Sequence, residues 1–317
     1  MHWPTIKIKL DTTNTKRSRF WYGWFDRNYF QVTENDFDFE VVVPDYDYPE
    51  KWSYDRKNII IDLTWEGQDK KQYPATNGHL NLYDYVNDDT LILNGNEQED
   101  IWANTTYSFV NMFKSNTPSP KKEKFGICLN RRDKTHRTKV IEFLKEKNYI
   151  DDFIWSYKAN EDEYSEDSVL VDGVIDGLKQ HQPTDLFGKT YFNIVTESLF
   201  EEPGLPIFLT EKTFKALYNK NLFVICGGYG CVDSLRLKGF DVFDDIINHD
   251  YDLIEDYNER LQKCLESIEK VMNHKSEIES LYLYGNIEER LEYNKKLVLK
   301  TPSRHVKEVY EKLCQLK

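Results

Sequence analysis

The 317-residue chain reads as an α/β protein of two domains followed by a helical C-terminal tail. Three observations carry this expectation. In the second half, short apolar runs that fit strands alternate with stretches that fit helices, the order that builds a parallel sheet. The segment Thr117-Pro118-Ser119-Pro120-Lys121-Lys122 places two prolines and a lysine pair together, which excludes regular structure and marks a linker. Beyond Tyr251, the residues Leu261, Leu265, Ile268 and Met272 recur three or four apart, on one face of a helix. The expected divisions are 1–117, 118–285 and a tail over 286–317.

In the first division, strands are expected at 5–10, 39–43, 58–63 and 90–94, each a short apolar run bounded by turn residues. The aromatic stretch 20–25 and the region 78–86 read as helical or irregular connections. In the second division, strands are expected at 124–129, 191–196 and 222–226. Helices are expected at 134–147, with Val140, Ile141, Phe143 and Leu144 on the apolar side, at 211–219, and at 232–238, where Gly239 stops the last of them. Ligands of such sheets bind beyond the carboxyl ends of the strands, so residues at those ends are the candidates. The acidic run 160–167 reads as a solvated loop.

Hydrophobic residues make up 39% of the chain and aromatics 15%, enough for a substantial core and too many for a disordered chain. The net charge is −13, from 42 basic and 55 acidic residues, which counts against a general nucleic-acid binder and requires any anionic ligand to meet a local basic cluster. Five cysteines are scattered without a CxxC pair, which supports neither a zinc site nor a redox motif and fits reduced thiols in a cytoplasm. The N-terminal residues have no apolar signal core, and no run reaches membrane-spanning length. The expectation is a soluble, cytoplasmic protein.

The most informative stretch is Phe208-Leu209-Thr210-Glu211-Lys212-Thr213-Phe214, followed by the apolar run Leu222–Cys226 and the turn Gly227-Gly228-Tyr229-Gly230. Thr210 caps a helix whose first turn carries Glu211 and Lys212. A helix N-terminus gathers unpaired N–H groups and partial positive charge, which suits a diphosphate. The same residues also fit a plain capped surface helix. The glycine turn does not complete GxGxxG, because position 233 is Asp233, and no P-loop is present.

A second stretch, Asn130-Arg131-Arg132-Asp133-Lys134-Thr135-His136-Arg137, puts three arginines, a lysine and a histidine after the expected strand 124–129. Arginine's planar fork suits phosphate oxygens, and the alternative is a solvated basic turn. A third, Phe192-Asn193-Ile194-Val195-Thr196-Glu197-Ser198, ends a strand on Glu197, a carboxylate that fits either a hydroxyl ligand or an ordinary loop acid.

From 125 to 243 these motifs resemble the donor-binding region of GT-B glycosyltransferases, in particular the fucosyltransferase-like group. The resemblance implies two Rossmann-like domains, with terminal helices packing back on the first. It assigns the nucleotide ribose to Glu211, and the diphosphate to Lys212 and to Arg131 or Arg132, with His136 and Arg137 as further candidates and Glu197 as a sugar or ribose ligand. Inversion at the anomeric carbon is implied in the same way. The implied co-substrate is a nucleotide sugar, with no separate cofactor and no metal, because the basic residues meet the charge that a divalent ion would otherwise meet.

The catalytic base expected for direct transfer is a carboxylate or histidine near the acceptor hydroxyl. The fucosyltransferase-like group has a Glu after an early strand in that role, so the resemblance implies Glu66, which follows the strand 58–63, with Asp62 and His79 as alternates. Asp45-Tyr46-Asp47 has the DxD spacing of metal-dependent transferases, but Asp36-Phe37-Asp38 and Asp250-Tyr251-Asp252 share it, so the spacing reads as incidental in an Asp- and Tyr-rich chain. The acceptor is expected to be a glycan or another hydroxyl compound. Two alternatives remain at this stage: a nucleotide- or carbohydrate-binding module without catalysis, and transfer to modified bases in DNA, as in some virus-encoded glycosyltransferases. The location would then be the host cytoplasm, and the acidic net charge disfavours the DNA acceptor.

Overall fold

Nine short strands form two separate parallel sheets in the computed structural model, which describes residues 6–10, 30–33, 36–42, 58–62, 91–94, 121–130, 134–157, 184–200, 207, 209–285 and 287–316. The chain divides into one unit of Met1–Ser108 with Lys300–Lys317, and a second of Phe109–Leu299.

The first unit holds Ile6–Leu10 (β1), Phe30–Val32 (β2), Phe39–Val42 (β3), Asn58–Asp62 (β4) and Leu91–Asn94 (β5), in the order β2-β1-β3-β4-β5 with every pair parallel. Four of these strands match the expected runs, and β2 was not expected. Ile6, Ile8 and Phe39 are buried. Asp38 accepts the backbone N–H of Lys7 at 2.9 Å, while the exposed Asp36 pairs with the Lys7 ammonium at 2.5 Å. Both acids of that DxD triplet therefore fasten a turn to β1. Asp45 and Asp47 lie outside the described residues.

In the second unit the strands Lys124–Leu129 (β6), Phe153–Ser156 (β7), Thr190–Thr196 (β8) and Leu222–Cys226 (β9) are ordered β7-β6-β8-β9, again all parallel. A parallel sheet covered on both faces needs continuous apolar strands, not alternating ones. All five residues of β9 are buried, as are all but Tyr191 in β8. Gly126 is required by packing, since a Cβ there would come within 2.3 Å of the Phe153 ring on the neighbouring strand. The strand β7 was not expected: four residues between turns give too little pattern to read.

The helices are Thr135–Glu146 (α1), Thr184–Gly188 (α2), Glu211–Tyr218 (α3), Cys231–Leu237 (α4), Tyr257–Asn273 (α5), Lys275–Leu283 (α6) and Glu288–Leu316 (α7). Asp256 caps α5 by accepting the N–H of Glu259 at 2.8 Å. Leu261, Cys264, Ile268, Val271 and Met272 form the buried stripe of α5, which packs on β9. Cys264 holds a central core position, and the expected Leu265 is only partly buried. Gly230 opens α4 at φ 77°, a left-handed conformation that suits glycine. Asp252 accepts the N–H groups of Val232 and Asp233, each at 2.8 Å, so it caps α4; Asp250, two residues away, is exposed and bonds Asn248. The third DxD triplet thus divides its acids between a buried cap and an exposed turn. Among the described residues, no helix is long and apolar enough to cross a membrane.

Candidate functional site at the carboxyl ends of the second sheet

Polar side chains concentrate where β6, β7, β8 and β9 end. Asn130, one residue past β6, is buried; its N–H reaches Ser156 O at 2.9 Å, and its side-chain oxygen accepts the Thr196 hydroxyl at the end of β8. Three strand ends are thereby tied by one asparagine. Beyond β8 the backbone N–H of Glu197 continues the ladder to Cys226 O at 2.9 Å.

The Glu197 carboxylate is fully buried and bonds the N-terminus of α3. Its Oε1 accepts the Thr210 N–H at 2.9 Å and the Thr213 hydroxyl at 2.7 Å, and its Oε2 accepts the Thr210 hydroxyl at 2.5 Å. An anion at a helix N-terminus is favoured by the unpaired N–H groups and the aligned peptide dipoles. Here the protein supplies that anion itself. Thr210 is a cap as expected, its hydroxyl accepting the Lys212 N–H at 3.4 Å.

Lys212 stands at the outer side of this cluster with its side chain 24% exposed. Its ammonium donates to Thr210 Oγ1 at 2.7 Å and Ser198 Oγ at 3.2 Å, and lies 3.5 Å from Glu197 Oε2. Two neutral hydroxyls and a shared carboxylate fix the direction of the charge. Glu211 is the first residue of α3, as expected.

The start of α1 closes the other side. Lys134 donates to Ser198 O at 2.7 Å, His136 Nε2 meets Glu197 O at 2.9 Å, and Arg137 reaches Thr196 O at 3.3 Å and Glu197 O at 3.2 Å. His136 and Arg137 are buried, and the imidazole stacks on Phe200 with ring centroids 5.1 Å apart. His136 and Arg137, which the resemblance offers as further phosphate candidates, both turn inward and hold backbone carbonyls at the end of β8. Glu197 likewise turns inward, and its oxygens are engaged by the α3 cap. A sequence signal for the inward pair existed. His136 and Arg137 stand four residues before Val140 and Ile141, which places them on the apolar stripe of α1. Arg131, Arg132, Glu66 and His79 lie outside the described residues, as does the side chain of Asp62.

Burial, with the neighbouring charges of Arg137, Lys134 and Lys212, holds the His136 imidazole down to about 3. The ring is neutral at ordinary pH, with Nε2 carrying the proton it donates to Glu197 O. Between that value and the ordinary 6.5 the unfolded chain binds a proton that the native state refuses, so this residue withdraws stability as pH falls below about 6.5. Asp252, pushed up by burial to about 6, has the opposite sign, since its native state binds the extra proton. A comparison of variants isolates the histidine. His136→Gln keeps an N–H for the Glu197 carbonyl and cannot titrate. From about pH 7 to about pH 5 the wild type is expected to lose about 2 kcal/mol more stability than this variant. Parallel urea titrations check it; equal losses would show that position 136 is not a buried neutral imidazole.

No protein-family model matches the chain, and no curated protein matches it. Among solved structures, the chain is similar to a crystal structure of an α1,3-fucosyltransferase, with 12% identity, 87% of this chain and 80% of that chain covered, and a TM-score of 0.41.

Proposed function

We propose that the chain is a nucleotide-sugar-dependent glycosyltransferase of the GT-B type, inverting and metal-independent, that transfers a sugar to a hydroxyl acceptor. The observation that carries this reading is Lys212: a partly exposed ammonium in the first turn of a threonine-capped helix, at the carboxyl end of a parallel sheet, held in direction by Thr210 and Ser198. The carboxyl ends of a parallel sheet are where such a fold receives its ligand, and an ammonium placed there suits an anionic one. It agrees with the motif resemblance, in which the lysine of a Thr-Glu-Lys triplet binds the donor diphosphate.

In this reading Lys212 and the arginines Arg131 and Arg132 bind the diphosphate, and Glu211 accepts hydrogen bonds from the ribose. The cations stabilise the negative charge that grows on the departing nucleoside diphosphate. Glu66, in the first unit, removes the acceptor's proton. Phosphate contacts of this kind are charge-assisted, so Lys212→Ala and Arg131→Ala should each weaken nucleoside-diphosphate binding by about 1–3 kcal/mol. Calorimetry against a panel of nucleoside diphosphates, together with thermal shift against the matching nucleotide sugars, tests this. Unchanged affinity in both variants, with the fold intact, removes the donor-site assignment. Release of free nucleoside diphosphate from the bound donor separates a transferase from a binding module.

A further inference from the structure

Cys226 is the last residue of β9, and Cys264 lies on the face of α5 that packs against it. Both are fully buried, and their sulfurs are 2.8 Å apart. That separation is less than one ångström longer than a disulfide bond of about 2.05 Å. Cys128 and Cys231 are also buried, yet neither makes a comparable sulfur–sulfur contact among the described residues.

We propose that Cys226 and Cys264 form a covalent cross-link site, joined as a disulfide by a low-molecular-weight disulfide such as oxidised glutathione. In the first step one cysteine thiolate attacks a sulfur of the oxidant, giving a mixed disulfide and releasing one glutathione thiolate. In the second step the other cysteine thiolate attacks the protein-side sulfur, closing the protein disulfide and releasing the second glutathione. The two protein thiols lose two protons and two electrons, and the oxidant becomes two thiols.

The Cys264 sulfur beside it, together with burial, holds the Cys226 thiol well above its usual range, so the folded pair does not react while sealed. Exchange therefore proceeds through opening of the α5–β9 contact, or during folding before that contact closes. The link spans a sequence separation of 38 residues, and shutting a loop of that size removes considerable freedom from the unfolded chain. It fastens the strand from which the Gly227–Gly230 turn departs. The carbonyl of Cys226 already receives the Glu197 N–H, so the bond would stiffen the wall of the candidate site. The sequence suggests reduced thiols throughout; this pair makes an oxidised form available to the same fold.

The full chain is exposed to oxidised glutathione in two arms, once folded and once while refolding from urea, then alkylated and digested without reductant. A peptide joining Cys226 to Cys264, two hydrogens lighter than its reduced parts, is expected in the refolding arm, and in the folded arm where α5 opens. Oxidised wild type should melt about 5–10 °C higher than reduced wild type. Cys264→Ser should lose both the cross-linked peptide and the rise. The cross-link in either arm, with the rise in melting temperature, upholds the proposal. Full alkylation of Cys226 and Cys264 in both arms overturns it, as does a dominant pairing with Cys128, Cys231 or Cys314, or a cross-linked chain that melts no higher than the reduced one.

Discussion

Glu197→Ala is expected to cost the protein about 3–5 kcal/mol of stability, the range for removing one partner of a buried ionic cluster. The carboxylate is fully buried and accepts three hydrogen bonds from Thr210 and Thr213, with the Lys212 ammonium 3.5 Å away. Alanine leaves one backbone N–H and two hydroxyls without their acceptor, and a cation without its counter-charge. In a domain of this size the melting temperature should fall by about 10 °C. Glu197→Gln keeps the shape and one acceptor oxygen, so it should lose roughly half as much. Urea denaturation of the two variants checks the order. An alanine variant with an unchanged midpoint would show that the strand-to-helix lock contributes nothing, and the account of Lys212 as a held cation would go with it.

Glu66→Gln is the change with the largest expected effect on activity. A glutamine preserves size and polarity but cannot accept a proton, so turnover should drop by about 10²–10⁴-fold, the usual share of general base catalysis. Donor affinity should stay near the wild-type value, because Glu66 is not assigned to the nucleotide. Steady-state kinetics with saturating donor, paired with calorimetry, separates the two quantities. Near-normal turnover would make Glu66 a surface acid and pass the role of candidate base to Asp62 and His79.

The strands were legible wherever the parallel sheet forces an unbroken apolar run. Thus 124–129 and 222–226 were read to the residue, while β2, β7 and α2, at three to five residues each, carry too little pattern to be seen. The Thr210 cap was legible because a cap is local: the hydroxyl and the N–H it serves are two residues apart. The orientation of Glu197 was not, since its partners are 13 and 16 residues on and meet it only once α3 has docked beside β8. By charge, His136 and Arg137 read as part of a basic cluster suited to phosphate oxygens. Their four-residue spacing from Val140 and Ile141 was the better guide, because a helix buries a face regardless of the charge at its edge.

The strand order β7-β6-β8-β9 also bears on how the protein is made. β6 and β7 can pair once residues 124–156 are made, but the central pair, β6 and β8, is joined only after everything up to Thr190 has been synthesised, so the sheet is completed late on a ribosome. Until Leu222–Cys226 arrives, β8 offers a seven-residue edge that carries Tyr191, Phe192, Ile194 and Val195. Such an edge recruits other strands, including those of sister chains. Shortening the gene from its end should therefore not give a graded series of weaker proteins. Products that stop before β9 are expected to aggregate, and expression should show a sharp threshold at that strand.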